Sequence, residues 1–287
     1  METVKIIECP RDAMQGITTF IPTQTKVDYL NQLLKCCFDT LDFGSFVSAK
    51  AIPQLQDTVD VLNQLDLSST NTKLLAIIAN ERGAQEAMQH QAITYLGYPF
   101  SVSETFQKRN TNATIEESWQ RLDFIQNECV KNNKELVVYL SMGFGNPYGD
   151  VWNSEIVINW SERIFSELGV KILALSDTIG AANPSLVGSL FKDLIPALPG
   201  VEFGAHLHTT PENATALVEA AFEAGCRRFD GAIKGFGGCP MAADSLTGNM
   251  PTERMLDWFH ANGIHTNVAN QAFTDAFAMS GSVFQNH

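Results

Sequence analysis

Arg11 and Asp12 follow the first apolar run directly, in Glu8-Cys9-Pro10-Arg11-Asp12. A guanidinium can steady a developing oxyanion and a carboxylate can hold a cation, although side by side they also suit a solvated ion pair. A second cluster, Gly204-Ala205-His206-Leu207-His208, closes the seventh apolar run. Strand alternation turns His206 and His208 to the same side, which suits a divalent-metal pair and equally a satisfied polar pair in the core. With Asp12 as a third donor the set favours a metal, and one carboxylate with two imidazoles accepts Mg²⁺, Mn²⁺ or Zn²⁺. Gly235-Phe236-Gly237-Gly238-Cys239-Pro240 places a thiol in a glycine-rich loop. That loop reads as a flexible connection, as a phosphate-binding turn, or as a mobile lid that delivers Cys239 to substrate. Asn249, ahead of Pro251, reads by its spacing as a helix-flanking cap. Its alternative is an amide-oxygen metal ligand.

These residues need a scaffold that gathers them. Short apolar runs rich in β-branched residues recur at 4–8, 40–43, 74–79, 93–97, 136–141, 172–176, 201–207 and 229–233. Stretches of helical period lie between them. Residues 25–37 put Val27, Leu30, Leu33 and Leu34 on one face, with Cys36 and Cys37 expected on the same inward stripe. Thr114 with Glu117 forms a capping box ahead of Trp119, Leu122 and Ile125. Residues 211–224 start at Pro211 and stop before Gly225, the asymmetry expected of a helix; residues 255–261 likewise stop before Asn262-Gly263. Eight strand-then-helix units at a spacing of roughly 35 residues predict an α/β fold with a parallel sheet closed into a TIM (β/α)8 barrel. A doubly wound open sheet is the alternative, but the first strand lacks the G-x-G-x-x-G turn. No composition break suggests a linker, so residues 1–287 are expected to form a single catalytic domain, the last ~25 residues being a C-terminal extension. In a barrel, catalytic groups sit at the C-terminal ends of the strands, which is where Arg11, Asp12, His206 and His208 fall.

The 287 residues are enough chain for a sizeable core. An apolar share of 45% with 18% charged residues excludes a disordered, collagenous or coiled-coil chain. With 19 Lys+Arg against 32 Asp+Glu the net charge is −13, which argues against a general nucleic-acid or anionic-membrane binder. Any anionic substrate must then be met by locally concentrated positive charge. The six cysteines show no C-x-x-C spacing, and neither a secretory signal nor a membrane-length apolar run is visible. Free thiols and a cytoplasmic location are expected.

Several motifs together carry a resemblance to a known family. Glu8-Cys9-Pro10-Arg11-Asp12, Ser45-Phe46-Val47-Ser48-Ala49-Lys50, Lys108-Arg109-Asn110 with Ile115-Glu116-Glu117-Ser118, Ser176-Asp177-Thr178-Ile179-Gly180, His206-Leu207-His208, and Gly237-Gly238-Cys239-Pro240 with Gly248-Asn249 run in order from residue 4 to about 265. In this order they resemble the 3-hydroxy-3-methylglutaryl-CoA lyases of the DRE-TIM metallolyase superfamily. The resemblance implies a divalent-metal-dependent carbon–carbon lyase that cleaves 3-hydroxy-3-methylglutaryl-CoA, or a close 3-hydroxyacyl-CoA, to acetyl-CoA and acetoacetate. It implies Asp12, His206, His208 and Asn249 as metal ligands, with Mg²⁺ or Mn²⁺ ahead of Zn²⁺. Arg11 would meet the thioester oxygen, and Asp42, His206 and Cys239 would share the acid–base work. Gln15, Ser48, Asp177, Thr178, Lys108 and Arg109 would bind substrate, the last two serving the CoA phosphates. A homodimer is also implied. Departures from the pattern are Asp42 where the family usually carries Glu, one residue fewer between Glu8 and Arg11, Ala13 in place of a glycine, and Met241 in place of an aromatic. Two other readings accompany this one: a related aldolase or Claisen-type condensing enzyme with a different hydroxy or oxo acid, and a non-catalytic lyase-like acyl-CoA binder.

Overall fold

The apolar runs form parallel strands in a computed structural model that describes residues 2–238 and 247–284. In chain order the elements are β1 (Lys5–Glu8), α1 (Pro10–Gln15), α2 (Thr23–Leu34), β2 (Thr40–Ser45), α3 (Thr58–Leu62), β3 (Lys73–Ile77), α4 (Glu81–Met88), β4 (Ile93–Ser101), α5 (Glu104–Thr111) and α6 (Ile115–Lys131). They continue as β5 (Glu135–Ser141), α7 (Ser154–Leu168), β6 (Ile172–Asp177), α8 (Pro184–Ala197), β7 (Glu202–Thr209), α9 (Ala214–Glu223), β8 (Arg228–Gly231), β9 (Gly248–Asn249), α10 (Thr252–Ala261) and α11 (Asn270–Phe284). Strands β1 to β8 pair in sequence, and β1 pairs with β8 in parallel from Lys5 with Arg228 to Glu8 with Gly231. With β6 also paired to β7, the ring is closed: this is a single α/β TIM barrel.

Local chemistry explains most element boundaries. Asn80, Ser103, Asn153 and Asn183 each accept a backbone N–H at the start of their helices, and Thr114 with Glu117 completes the expected capping box of α6. Two boundaries differ from the sequence reading. Helix α2 stops at Leu34, so Cys36 is buried while Cys37, at φ 60°, is exposed. Helix α9 starts at Ala214 rather than at Pro211, because the Asn213 side chain accepts from the Thr210 N–H and holds a turn there.

The C-terminal helix is tied to the barrel. Tyr29 of α2 meets Phe284 of α11 edge-on at 5.8 Å, and Phe38 meets Phe273 at 6.3 Å. Phe236, at the base of the glycine-rich loop, stacks on Phe284 with centroids 4.6 Å apart. Among the described residues no helix is long and apolar enough to cross a membrane.

Glu8 joins the two ends of that loop. Its Oε1 accepts the Ile233 N–H at 2.9 Å, and its Oε2 lies 2.6 Å from the Thr252 hydroxyl. Ala232 adds backbone bonds to Met250 and Thr252. Burial pushes the Glu8 carboxyl up to about 8, against the lowering effect of its two hydrogen bonds. A carboxyl raised on folding binds more protons folded than unfolded, so its contribution is full below the unfolded value and is lost as pH rises through about 8. Glu8→Gln keeps both hydrogen bonds without a titrating group. The Tm of the unsubstituted protein should therefore fall more steeply from about pH 5 to about pH 9 than that of Glu8→Gln. Parallel Tm curves for the two proteins would rule this linkage out.

Candidate functional site

A cleft of about 360 Å³ opens at the C-terminal end of the barrel. Arg11, Asp12, Gln15, Ser141, Ser176, Thr178, His206 and His208 are among its polar lining; Val47, Ile52, Ile77, Ala79, Pro99 and Phe106 are among its apolar lining.

Strand β1 runs almost straight into α1, whose first turn delivers Arg11 and Asp12 to the cleft. The Arg11 Nε and Nη2 groups donate to Asp42 at 2.9 and 2.5 Å, while Nη1 donates to Asp12 at 2.8 Å and to Gln15 at 3.0 Å. Four of the five guanidinium hydrogens are thereby committed, which leaves one on Nη2 for a ligand. Although burial opposes its charge, Asp42 and Asp12 hold Arg11 protonated more firmly than usual. Asp42 itself is fully buried behind the guanidinium and does not line the cleft.

Asp12, His206 and His208 bring their ligand atoms within 4.8 Å of one another. His208 Nδ1 meets the Thr178 carbonyl at 3.0 Å, and its Nε2 is buried with no hydrogen-bond partner among the described residues. Burial, helped by His206, lowers His208 to about 4, so it is a neutral imidazole near neutral pH with a lone pair aimed at the cluster. His206 Nδ1 meets Asp230 Oδ2 at 3.1 Å. Burial would raise Asp12, but Arg11, both imidazoles and Asn249 outweigh it and hold the carboxyl at about 2. An ionised carboxylate and a buried imidazole nitrogen without a partner are the donors a divalent cation takes. Cys9 also approaches His206 and Asp230, but burial drives its thiol well up and leaves it protonated.

Asn249 is not a helix cap. It lies on β9, paired antiparallel with His208, and its Nδ2 donates to Asp12 at 2.8 Å and to the Phe236 carbonyl at 2.8 Å. Two glycines make this approach possible: at Gly235 a Cβ would stand 2.9 Å from the Asn249 carbonyl oxygen, and at Gly237 (φ 84°) it would stand 2.7 Å from Ala13 Cα and from the Asp12 carbonyl oxygen.

The remaining sequence-derived candidates are distributed unevenly. Gln15 and Thr178 line the cleft. Asp177 does not: its carboxylate accepts the Ala181 and Ala182 N–H groups at 2.8 and 2.9 Å and so shapes the turn after β6. Ser48 is exposed and off the cleft, though its neighbours Val47 and Ala51 line it. Lys108 pairs with Glu104 at 2.9 Å and Arg109 lies over the Tyr148 ring at 4.6 Å. Both ride on α5, which turns Phe106, Asn110 and Thr111 towards the cleft. Cys239 lies outside the described residues. Sequence reasoning passed over Asp230, the partner of His206. Its signal was present, as a carboxylate inside the buried run 229–233.

The fold and cleft define a TIM barrel with a carboxylate–imidazole cluster at the strand ends, and comparison with known proteins assigns its class. The HMGL-like family profile matches residues 4–279. The chain belongs to the HMGL-like family and is an enzyme of the carbon–carbon lyase class. It is 36% identical over 262 residues to the hydroxymethylglutaryl-CoA lyase of Bacillus subtilis, covering 90% of this chain and 85% of that protein. It is 31% identical over 273 residues to the hydroxymethylglutaryl-CoA lyase of Pseudomonas mevalonii, covering 95% and 89%. Among solved structures, the HMG-CoA lyase of Brucella melitensis superposes with a TM-score of 0.92 at 28% identity, covering 99% of this chain and 100% of that one. An HMG-CoA lyase from Acinetobacter baumannii, in complex with coenzyme A and 3-methylmalate, superposes with a TM-score of 0.89 at 29% identity, covering 99% and 92%.

Proposed function

We propose that this enzyme cleaves 3-hydroxy-3-methylglutaryl-CoA, or a close 3-hydroxyacyl-CoA, to acetyl-CoA and acetoacetate or the corresponding carbonyl product, with a divalent cation as cofactor. The observation that carries the reading is the convergence of Arg11, Asp12, His206 and His208 in one cleft. In the reaction the hydroxyl gives its proton to water in the cleft, and the bond between the hydroxyl carbon and the thioester α-carbon breaks as the hydroxyl carbon becomes a ketone carbonyl. The electron pair of that bond moves onto the thioester as an enolate. Arg11 offers its remaining N–H to the enolate oxygen. Asp12, His206 and His208 would hold the cation, and Asn249 could join them through Oδ1 only by turning its amide away from its present contacts. Bound there, Mg²⁺ or Mn²⁺ would acidify the substrate hydroxyl. Asp42, expected from the family pattern to share the acid–base work, is assigned instead to hold Arg11, because it has no face on the cleft. Cys239 is assigned the return of a proton to the α-carbon, a role suited to a thiol with an ordinary value of about 8.5. Lys108 and Arg109 are assigned to the CoA phosphates, since α5 carries them beside residues of the cleft.

The test is incubation of the purified protein with a panel of 3-hydroxyacyl-CoA thioesters plus Mg²⁺ or Mn²⁺, scored for acetyl-CoA. Release from 3-hydroxy-3-methylglutaryl-CoA, abolished by a chelator, is the expected result. Metal binding with no turnover of any thioester would overturn the reading and favour a lyase-like binder.

A further inference from the structure

The barrel beneath the cleft holds charge that the reaction outlined above does not use. Arg228 and Asp230 stand two apart on β8 and so face the same way, into the barrel. Arg228 is completely buried, its guanidinium over the Tyr95 ring at 5.6 Å, with Gly204 leaving room for its chain: a Cβ there would stand 3.1 Å from Arg228 Cδ. A TIM-barrel interior is ordinarily filled by branched apolar side chains, and a buried guanidinium is costly unless something compensates it. None of its three nitrogens has a hydrogen-bond partner among the described residues, and its ion-pair contact with Glu202 is a long 3.7 Å. Asp230 is the strongest opposite charge acting on it. Above Arg228, Asp230 Oδ2 meets His206 Nδ1 while its Oδ1 is likewise buried without a partner, and Tyr139 places its ring edge-on to His206 at 5.3 Å. Arg228, Asp230 and His206 thus form a column from the middle of the barrel to the cleft.

We propose that Asp230 and Arg228 are positioning residues for the cation site: Asp230 fixes His206 with its proton on Nδ1 and Nε2 directed to Asp12 and His208, and Arg228, on the same strand face, supplies the opposite charge beneath Asp230. The proposal rests on the reading that Asp12, His206 and His208 bind a divalent cation. A carboxylate behind a metal-bound histidine orients the ring and strengthens its donor nitrogen, and loss of such a partner typically weakens metal affinity 10–100-fold. The buried charge then has a purpose beyond stability, because an apolar pair of the same volume would fill the barrel without orienting His206.

The test uses the full-length protein stripped of metal, with Mn²⁺ as the probe and its Kd read by calorimetry. Asp230→Asn should raise that Kd about 10–100-fold. Because it leaves the buried Arg228 without its opposite charge, it should also lower the Tm of the metal-free protein; the affinity and the tautomer, rather than the Tm, carry the test. Arg228→Met should raise it too, and the double variant should bind Mn²⁺ no more weakly than Asp230→Asn alone, since Arg228 acts through Asp230. Nitrogen-15 NMR of histidine in the metal-free protein gives an independent signature: one Nδ1–H tautomer for His206 before substitution, and loss of that single tautomer in Asp230→Asn. An unchanged Kd with an unchanged tautomer overturns the proposal. If the unsubstituted protein takes up no Mn²⁺, the cation reading fails separately. The tautomer measurement still judges the positioning role, an unchanged tautomer overturning it as well. Should Arg228→Met not fold, Asp230→Asn, which preserves volume and shape, decides alone.

Discussion

Replacing Arg11 with methionine is expected to lower kcat for carbon–carbon bond cleavage by about 10²–10³-fold, with kcat/KM falling in parallel. The parallel fall follows from where the charge develops. The thioester oxygen is nearly neutral in bound substrate and becomes an enolate oxygen in the transition state, so the interaction with Arg11 strengthens mainly there. The same substitution should destabilise the fold. Arg11 lies between Asp12 and Asp42, at 2.8 and 2.5 Å, with both carboxylates almost wholly buried. Removing one partner of a buried ion pair costs about 3–5 kcal/mol, because the charge left behind has neither water nor a counterion. Arg11→Lys should retain part of the stability but little of the activity, since an ammonium cannot donate the paired Nε and Nη2 bonds that Asp42 accepts. Steady-state kinetics and urea unfolding would check both effects. A kcat for Arg11→Met within tenfold of the unsubstituted enzyme would remove Arg11 from the transition state.

The second large effect is expected at His208. His208→Ala should abolish measurable Mn²⁺ binding and lower cleavage by about 10³-fold, which corresponds to the loss of several kcal/mol of Lewis-acid assistance. The substitution removes an imidazole whose Nε2 has no protein partner among the described residues and leaves the Thr178 carbonyl without its Nδ1 contact. A role in the fold alone predicts a stability loss without a metal phenotype. A ligand role predicts the reverse. Added Mn²⁺ should raise the Tm of the unsubstituted protein, because a ligand that binds only the folded state stabilises it, and should leave the Tm of His208→Ala where it is. Calorimetric Mn²⁺ titration and a Tm series with and without the ion would separate the two. Normal Mn²⁺ binding by His208→Ala would take His208 out of the cation site.

Both effects depend on residues that stood out in the sequence, but their partners did not. The eight apolar runs coincide with β1 to β8, give or take a few end residues, because strand and helix periodicity are properties of neighbouring residues. Arg11, Asp12, His206 and His208 could be placed at strand ends for the same reason. The role of Asp42 could not be read this way. Nothing in residues 40–43 says that its carboxylate would be closed off behind a guanidinium 31 positions earlier. The spacing of Asn249 before Pro251 suggested a cap, yet β9 pairs with β7 and turns the amide to Asp12, 237 positions away. Cys36 and Cys37 looked alike in a helical stripe until the early end of α2 buried one and exposed the other.

The sequence by itself determined the alternation of strands and helices, the barrel that alternation implies, and the residue types at the ends of β1 and β7. All of these follow from interactions within one turn or one strand. Only the tertiary structure decided which groups meet. It set Asp42 behind Arg11, Asp230 beneath His206, Glu8 across the base of the glycine-rich loop, and Asp12 within reach of both imidazoles. The physical reason is barrel closure. The pairings of β1 with β8 and of β6 with β7 fix the stagger of the whole ring, and that stagger, set by packing across the full chain, determines which strand ends face each other at the cleft.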